Sequence, residues 1–166
     1  MRRILGVVDL LSTWFGKAVS VLTLFVALAI VYEVFMRYTF SKPTVWASES
    51  TAFACGLVYL LGGAWTLLED KHVRIDMVYA KVSPRSRAAL DCFTYLFFAF
   101  YIAVMLQATA IYAYESAVLR ETTMSPWDPA IYPMKVAMTV ALALLLVQGT
   151  AKFIRNVCFL VTGKTL

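Results

Sequence analysis

This 166-residue chain is 61% hydrophobic and only 15% charged, with a mean hydropathy of +0.76. Soluble domains are about half apolar and one quarter charged, so the excess must face lipid, and the expected unit is one membrane domain over residues 1–166 with no separate soluble domain. The net charge of +5 is spread singly over the ends of apolar runs; a nucleic-acid surface needs its cations on one solvated face with aromatics between them, so that class is excluded.

In chain order, Arg2 and Arg3 precede Ile4, Val8, Leu11 and Phe15, which recur at helical spacing with Asp9, Ser12 and Thr13 elsewhere on the wheel. That pattern predicts a short amphipathic helix lying in the inner interface. The first span follows over residues 18–38. Its Ala27-Leu28-Ala29 fits a cleavage pattern, but the apolar run continues to Met36, so the span is expected to stay uncleaved. Glu33 lies inside this span with Arg37 at i+4, the favoured order for a helical ion pair; the pair is expected to secure the outer end of the helix rather than to relay protons.

The link RYTFSKPTVWASES, residues 37–50, joins the first span to the second, which covers residues 48–68. Pro43 and Trp46 stiffen and anchor it, Ser48 is the expected N-cap, and Glu49 complements the exposed start of the helix. Ser48, Ala52, Gly56 and Gly63 fall close to one face, where small side chains let another helix, of this chain or of a partner, approach closely. Residues 72–87 mix apolar and basic side chains and predict a second amphipathic helix on the cytoplasmic leaflet, stopped near Pro84. The third span, residues 90–117, is long enough that it must tilt or project. The stretch RETTMSPWDPAIYP then predicts a stiff, non-helical cap carrying Trp127, suited to docking or to anchoring at the headgroups. The fourth span covers residues 132–153.

Eleven cations lie in the N-terminal segment, the second connection and the C-terminal tail, against four on the opposite side. The positive-inside rule puts both termini in the cytoplasm and the 37–50 link outside. Chemistry is sparse. His72 is the only histidine, too few for bis-histidine haem or a histidine zinc site, and Cys55, Cys92 and Cys158 form no CxxC pair. Gly163-Lys164-Thr165 echoes a phosphate loop, but Cys158 stands where its first glycine belongs. No cofactor, metal or enzyme activity is expected. The spans also lack the proline breaks and paired halves of a substrate path, which points to a membrane scaffold that works beside a partner.

Arg37-Tyr38-x-Phe40, Trp46-x-x-Glu49, Gly62, the string His72-Val73-Arg74-Ile75-Asp76 and the Pro126–Pro129 segment occur in this order along the chain. Together they resemble the small membrane subunit, DctQ-like, of tripartite ATP-independent periplasmic (TRAP) transporters. Lys71 and Ser50 are mild departures. The resemblance implies an all-α protein of four transmembrane helices in the bacterial inner membrane. It implies a scaffold role in sodium-driven import of an organic acid, with a large permease subunit, a periplasmic substrate-binding protein and membrane lipid as partners. On this reading Glu33, Arg37, Trp46 and Glu49 form an outer structural cluster, and Gly56 and Gly63 a close-packing face. His72, Arg74 and Asp76 belong to the inner interfacial helix, and Trp127 is a candidate contact for the binding protein. The alternative, a haem- or quinone-associated anchor of an enzyme complex, has only His72 to offer as a ligand. A self-sufficient small transporter is a third reading.

Overall fold

The computed structural model describes residues 2–72 and 82–163. They form four long helices: α1 (Arg2–Phe40), α2 (Ala47–Leu68), α3 (Pro84–Leu119) and α4 (Tyr132–Thr162). Each contains a stretch long and apolar enough to cross a membrane, and the protein is an all-α, multi-pass membrane protein. At a 1.5 Å rise the 22 residues of α2 span about 33 Å, close to the hydrocarbon thickness, whereas the 39 residues of α1 reach about 58 Å and must project or tilt.

Helix ends follow local rules. Pro84 sits in the first turn of α3, where its missing N–H costs nothing, and the Ser83 hydroxyl before it accepts from the Ser86 amide at 3.2 Å. Each helix stops where the chain turns left-handed: Ser41 (φ 54°) after α1, Asp70 (55°) after α2, Arg120 (49°) after α3 and Gly163 (70°) after α4. Beyond α2 and α3, backbone N–H groups return to the last turn, Lys71 to Thr66 at 2.9 Å and Glu121 to Ser116 at 3.0 Å, which satisfies otherwise orphaned carbonyls.

The expected separate helix at residues 4–15 is not present. α1 runs unbroken from Arg2 to Phe40, because no proline interrupts it and its polar residues find partners inside the bundle. Gly16 does not break it either. A side chain there would collide with Trp65, so the glycine seats the indole of α2. The second expected interfacial helix falls largely on residues 73–81, outside the described residues.

α1 packs along α2, α2 along α4, and α4 along α3, while α1 also meets α4 over a shorter zone. Among the described residues, α3 packs extensively only against α4. The buried apolar residues are mostly alanines, namely Ala29, Ala47, Ala54, Ala64, Ala88, Ala113, Ala141 and Ala151, while large side chains such as Leu24, Leu28, Phe97 and Phe100 are exposed. A soluble core has the reverse bias. With lipid outside there is no hydrophobic drive between helices, so small residues at the seams and large ones facing the tails give the tightest packing.

Candidate functional site

Polar side chains gather at the two ends of the bundle. At the end formed by residues 41–46 and 120–131, Glu33 is the hub. Arg37 donates to its Oε1 from Nη2 at 2.6 Å and from Nε at 3.1 Å, the i+4 geometry of a helical ion pair. Its Oε2 accepts from the Thr44 amide at 2.9 Å and from the Thr44 hydroxyl. The carboxylate thus folds the link back onto the last turns of α1. Trp46 stacks on Tyr32, with ring centroids 5.9 Å apart, beside the same connection.

Glu49 turns the other way. It lies in the first turn of α2, and its Oε2 accepts from the Thr123 hydroxyl at 3.1 Å. Arg37, Trp46 and Glu49 therefore belong to two neighbouring contacts, one centred on Glu33 and one on Glu49. The expected Ser48 cap is also displaced. α2 starts at Ala47, Trp46 holds the cap position without a side-chain bond, and Ser48 is exposed in the first turn. Ala47 is almost fully buried, and the cap lies two residues before the expected one.

The 120–131 connection is a tight, hydrogen-bonded cap. Thr123 and Ile131 amides donate to the carbonyls of Pro129 and Glu121 at 3.1 and 2.9 Å, and Thr122 and Ala130 form an antiparallel bridge. The Asp128 carboxylate accepts from the Met124 amide at 2.9 Å, while the Asp128 amide donates to the Ser125 hydroxyl at 3.0 Å. Lys135 pairs with Glu121 at 2.5 Å. The Lys135 ammonium holds the Glu121 carboxyl below the ordinary carboxylate value. At the tip, Met124 is 92% exposed and Trp127 42%, so a rigid cap displays two large apolar side chains.

The opposite end carries a network that the sequence reading missed. The Ser12 hydroxyl donates to Gln148 Oε1 at 2.9 Å, Gln148 Nε2 donates to Asp9 Oδ1 at 3.1 Å, and Arg155 pairs with Asp9 Oδ2 at 2.5 Å. Ser12 and Gln148 are each only 1% exposed. Lys152 pairs with Asp70 beyond α2, Asn156 donates to Asp91 of α3 at 3.3 Å, and Tyr95 shares a 2.7 Å hydrogen bond with Thr150. The last half of α4 thus ties all three other helices. Asp9, Ser12 and Thr13 had read as a water-facing stripe; the usable signal was Gln148, a polar residue in an apolar run that demands buried partners.

Gly56 and Gly63 both face α4. A Cβ on Gly56 would lie 2.5 Å from Met134 Cε, and one on Gly63 would meet Leu145 at 3.8 Å. The other two residues of the expected small face, Ser48 and Ala52, are exposed. His72 is exposed just after α2, and Arg74 and Asp76 lie outside the described residues.

Chemically, these carboxylates, amides and cations bond to one another across helix seams, an arrangement that fixes helices in register. The family model described as the DctQ component of tripartite ATP-independent periplasmic transporters matches residues 26–159. That stretch runs from within α1 to the last turn of α4 and includes both polar ends apart from Asp9 and Ser12. No curated protein matches the chain closely enough to add to this finding.

Proposed function

The chain belongs to the DctQ component family of tripartite ATP-independent periplasmic transporters, and from that premise we propose that it is the small scaffold subunit of such a transporter. It is a transporter component, not an enzyme. On this reading it sits in the bacterial inner membrane with both termini in the cytoplasm. It binds a large permease subunit and widens that subunit's static part. The permease carries an organic acid, delivered by a periplasmic binding protein and driven by sodium.

The observation that carries the scaffold role is how the polar groups are used. Glu33 holds Arg37 and Thr44, Asp9 holds Gln148 and Arg155, and Glu49 holds Thr123. A transport path keeps such groups free for solute or ion near the midplane. Here they are engaged in joining helices. The exposed Met124 and Trp127 supply an apolar tip that suits contact with the binding protein.

Reconstitution tests this reading. Proteoliposomes holding this chain and the large permease subunit should take up the organic acid when an inward sodium gradient and the binding protein are both supplied. Leaving this chain out should abolish uptake. Full uptake without it, or uptake by this chain alone, overturns the scaffold role.

A further inference from the structure

We propose that the start of α3 binds an anionic phospholipid at the membrane edge, with Arg85 and Arg87 on its phosphate and the exposed stripe through Phe93 and Phe97 along its acyl chains. The site lies at the end of the bundle opposite the 120–131 cap, and it stands independently of the scaffold reading.

Arg85 and Arg87 are both exposed, and neither forms an ion pair among the described residues. Arg37 and Arg155, by contrast, each hold a carboxylate. Arg85 reaches across to α4, where its Nη2 donates to the Leu160 carbonyl at 3.1 Å. Arg87 turns back along the chain, and its Nε donates to the Val82 carbonyl at 3.2 Å. A guanidinium carries five N–H donors in a planar fork, so each arginine is steadied by one bond and keeps its other donors open. Asp91, one turn further along α3, is engaged with α4 instead: Asn156 donates to its Oδ2 at 3.3 Å. Two steadied guanidinium groups on either side of Ser86 suit a phosphate diester, whose oxygens accept paired N–H bonds from such a fork.

Exposed arginines alone would need only water. The apolar stripe that follows them is what fits a lipid. Ser86 and Phe93 lie two turns apart on one face, and that face continues through Leu96, Phe97 and Phe100, each at least 60% exposed. The Phe93 and Phe97 rings meet edge to face, with centroids 5.3 Å apart. At a 1.5 Å rise Phe93 lies about 10 Å beyond Ser86, and the headgroup layer adds about 5–8 Å to each side of the hydrocarbon. Guanidinium groups at the level of the phosphate therefore set the two phenylalanines beside the first carbons of the acyl chains. One amphiphile matches both parts of the surface.

Other anions match less of it. A soluble phosphate would use the arginines and leave the stripe bare. An acidic side chain of a protein partner would have to leave water to meet the arginines at the membrane edge, whereas a lipid phosphate already lies at that depth. Basic pockets between transmembrane helices hold anionic headgroups by this chemistry. Either leaflet supplies the phosphate, so the site does not depend on which way the bundle is turned.

The test uses the purified full chain in detergent, with phosphatidylglycerol and phosphatidylcholine of identical acyl chains as probes. Native mass spectrometry should show phosphatidylglycerol held about ten- to thirtyfold more tightly than phosphatidylcholine, the scale of two cations beside an anionic headgroup. The double variant Arg85→Gln/Arg87→Gln should lose that preference, whereas Lys42→Gln, at the other end of the bundle, should keep it. Glycerol 3-phosphate, which has the phosphate but no acyl chains, should not displace the lipid. Equal retention of the two lipids, an unchanged preference in the double variant, or displacement by glycerol 3-phosphate overturns the inference. Should the double variant fail to fold, a photo-reactive benzoylphenylalanine at exposed position 89, with both arginines intact, decides in native membranes. It should capture phospholipid, and adducts that contain only protein overturn the inference.

Discussion

Glu33 shows how one carboxylate can organise a connection. Both of its oxygens are engaged, one by Arg37 and one by the backbone and hydroxyl of Thr44, and the Arg37 side chain remains 55% exposed. The carboxylate therefore matters more than the guanidinium, since surface ion pairs contribute little by themselves. Glu33→Leu should free the 41–46 link and raise deuterium exchange at the Thr44 amide several-fold, whereas Arg37→Ala should raise it only slightly. Equal effects of the two variants would contradict this ranking. Glu121 gives a pH signature. Its carboxyl is held below its ordinary value of 4.5 by Lys135, so the pair's contribution is complete above that value and is lost as pH falls through the lowered folded value. Acidification across this window should lower the melting temperature of the wild type more than that of Glu121→Gln; identical acid profiles would rule the contribution out. The i+4 spacing made the Glu33–Arg37 pair legible in the sequence. Thr44 and Thr123 were not, because each reaches its carboxylate only after the chain has turned, and no local pattern marks a partner 11 or 74 residues away.

At the scale of the helices, the four apolar runs were readable because each exceeds the length needed to cross the hydrocarbon. Their ends were less so. A membrane span gives no hydropathy signal where it continues into water, so α1 extends down to Arg2 and α4 up to Thr162. The Asp9, Ser12 and Thr13 stripe was misread for a related reason. Helical spacing separates polar from apolar faces but does not say whether the polar face meets water or Gln148 and Arg155. Packing between helices depends on particular glycines. At Gly149 an added Cβ would sit 2.6 Å from the Phe98 ring, whereas at Gly6 it meets nothing within 4 Å. Gly149→Ala should thus destabilise the α3–α4 seam by about 1–3 kcal/mol, the usual cost of overpacking. Gly6→Ala should be neutral or stabilise by up to about 1 kcal/mol through helix propensity. Thermal unfolding in one detergent compares them directly, and a Gly149→Ala protein as stable as Gly6→Ala would show that the seam yields without cost.

For the whole molecule, α4 is the central element, bonded to α1 through Gln148 and Arg155, to the end of α2 through Lys152, and to α3 through Thr150 and Asn156. These ties all lie at the end that also holds most of the cations. Eleven of the fifteen Lys and Arg residues fall in the N-terminal segment, the 69–87 region and the C-terminal tail, and the proposed topology, which follows the positive-inside rule, turns that end to the cytoplasm. Asp9 and Asp70 partner cations there without reversing the bias, because acidic residues weigh little in that rule. On that proposed topology the 120–131 cap, with Met124 at its tip, faces the periplasm. In a background lacking Cys55, Cys92 and Cys158, a cysteine at position 124 should react with a membrane-impermeant maleimide in intact spheroplasts. A cysteine at position 72, exposed at the other end, should react only after the membrane is opened. The reverse pattern would turn the protein over and remove Met124 and Trp127 from reach of any periplasmic partner. Labelling at both positions before opening would mean that the bundle is not a closed membrane unit.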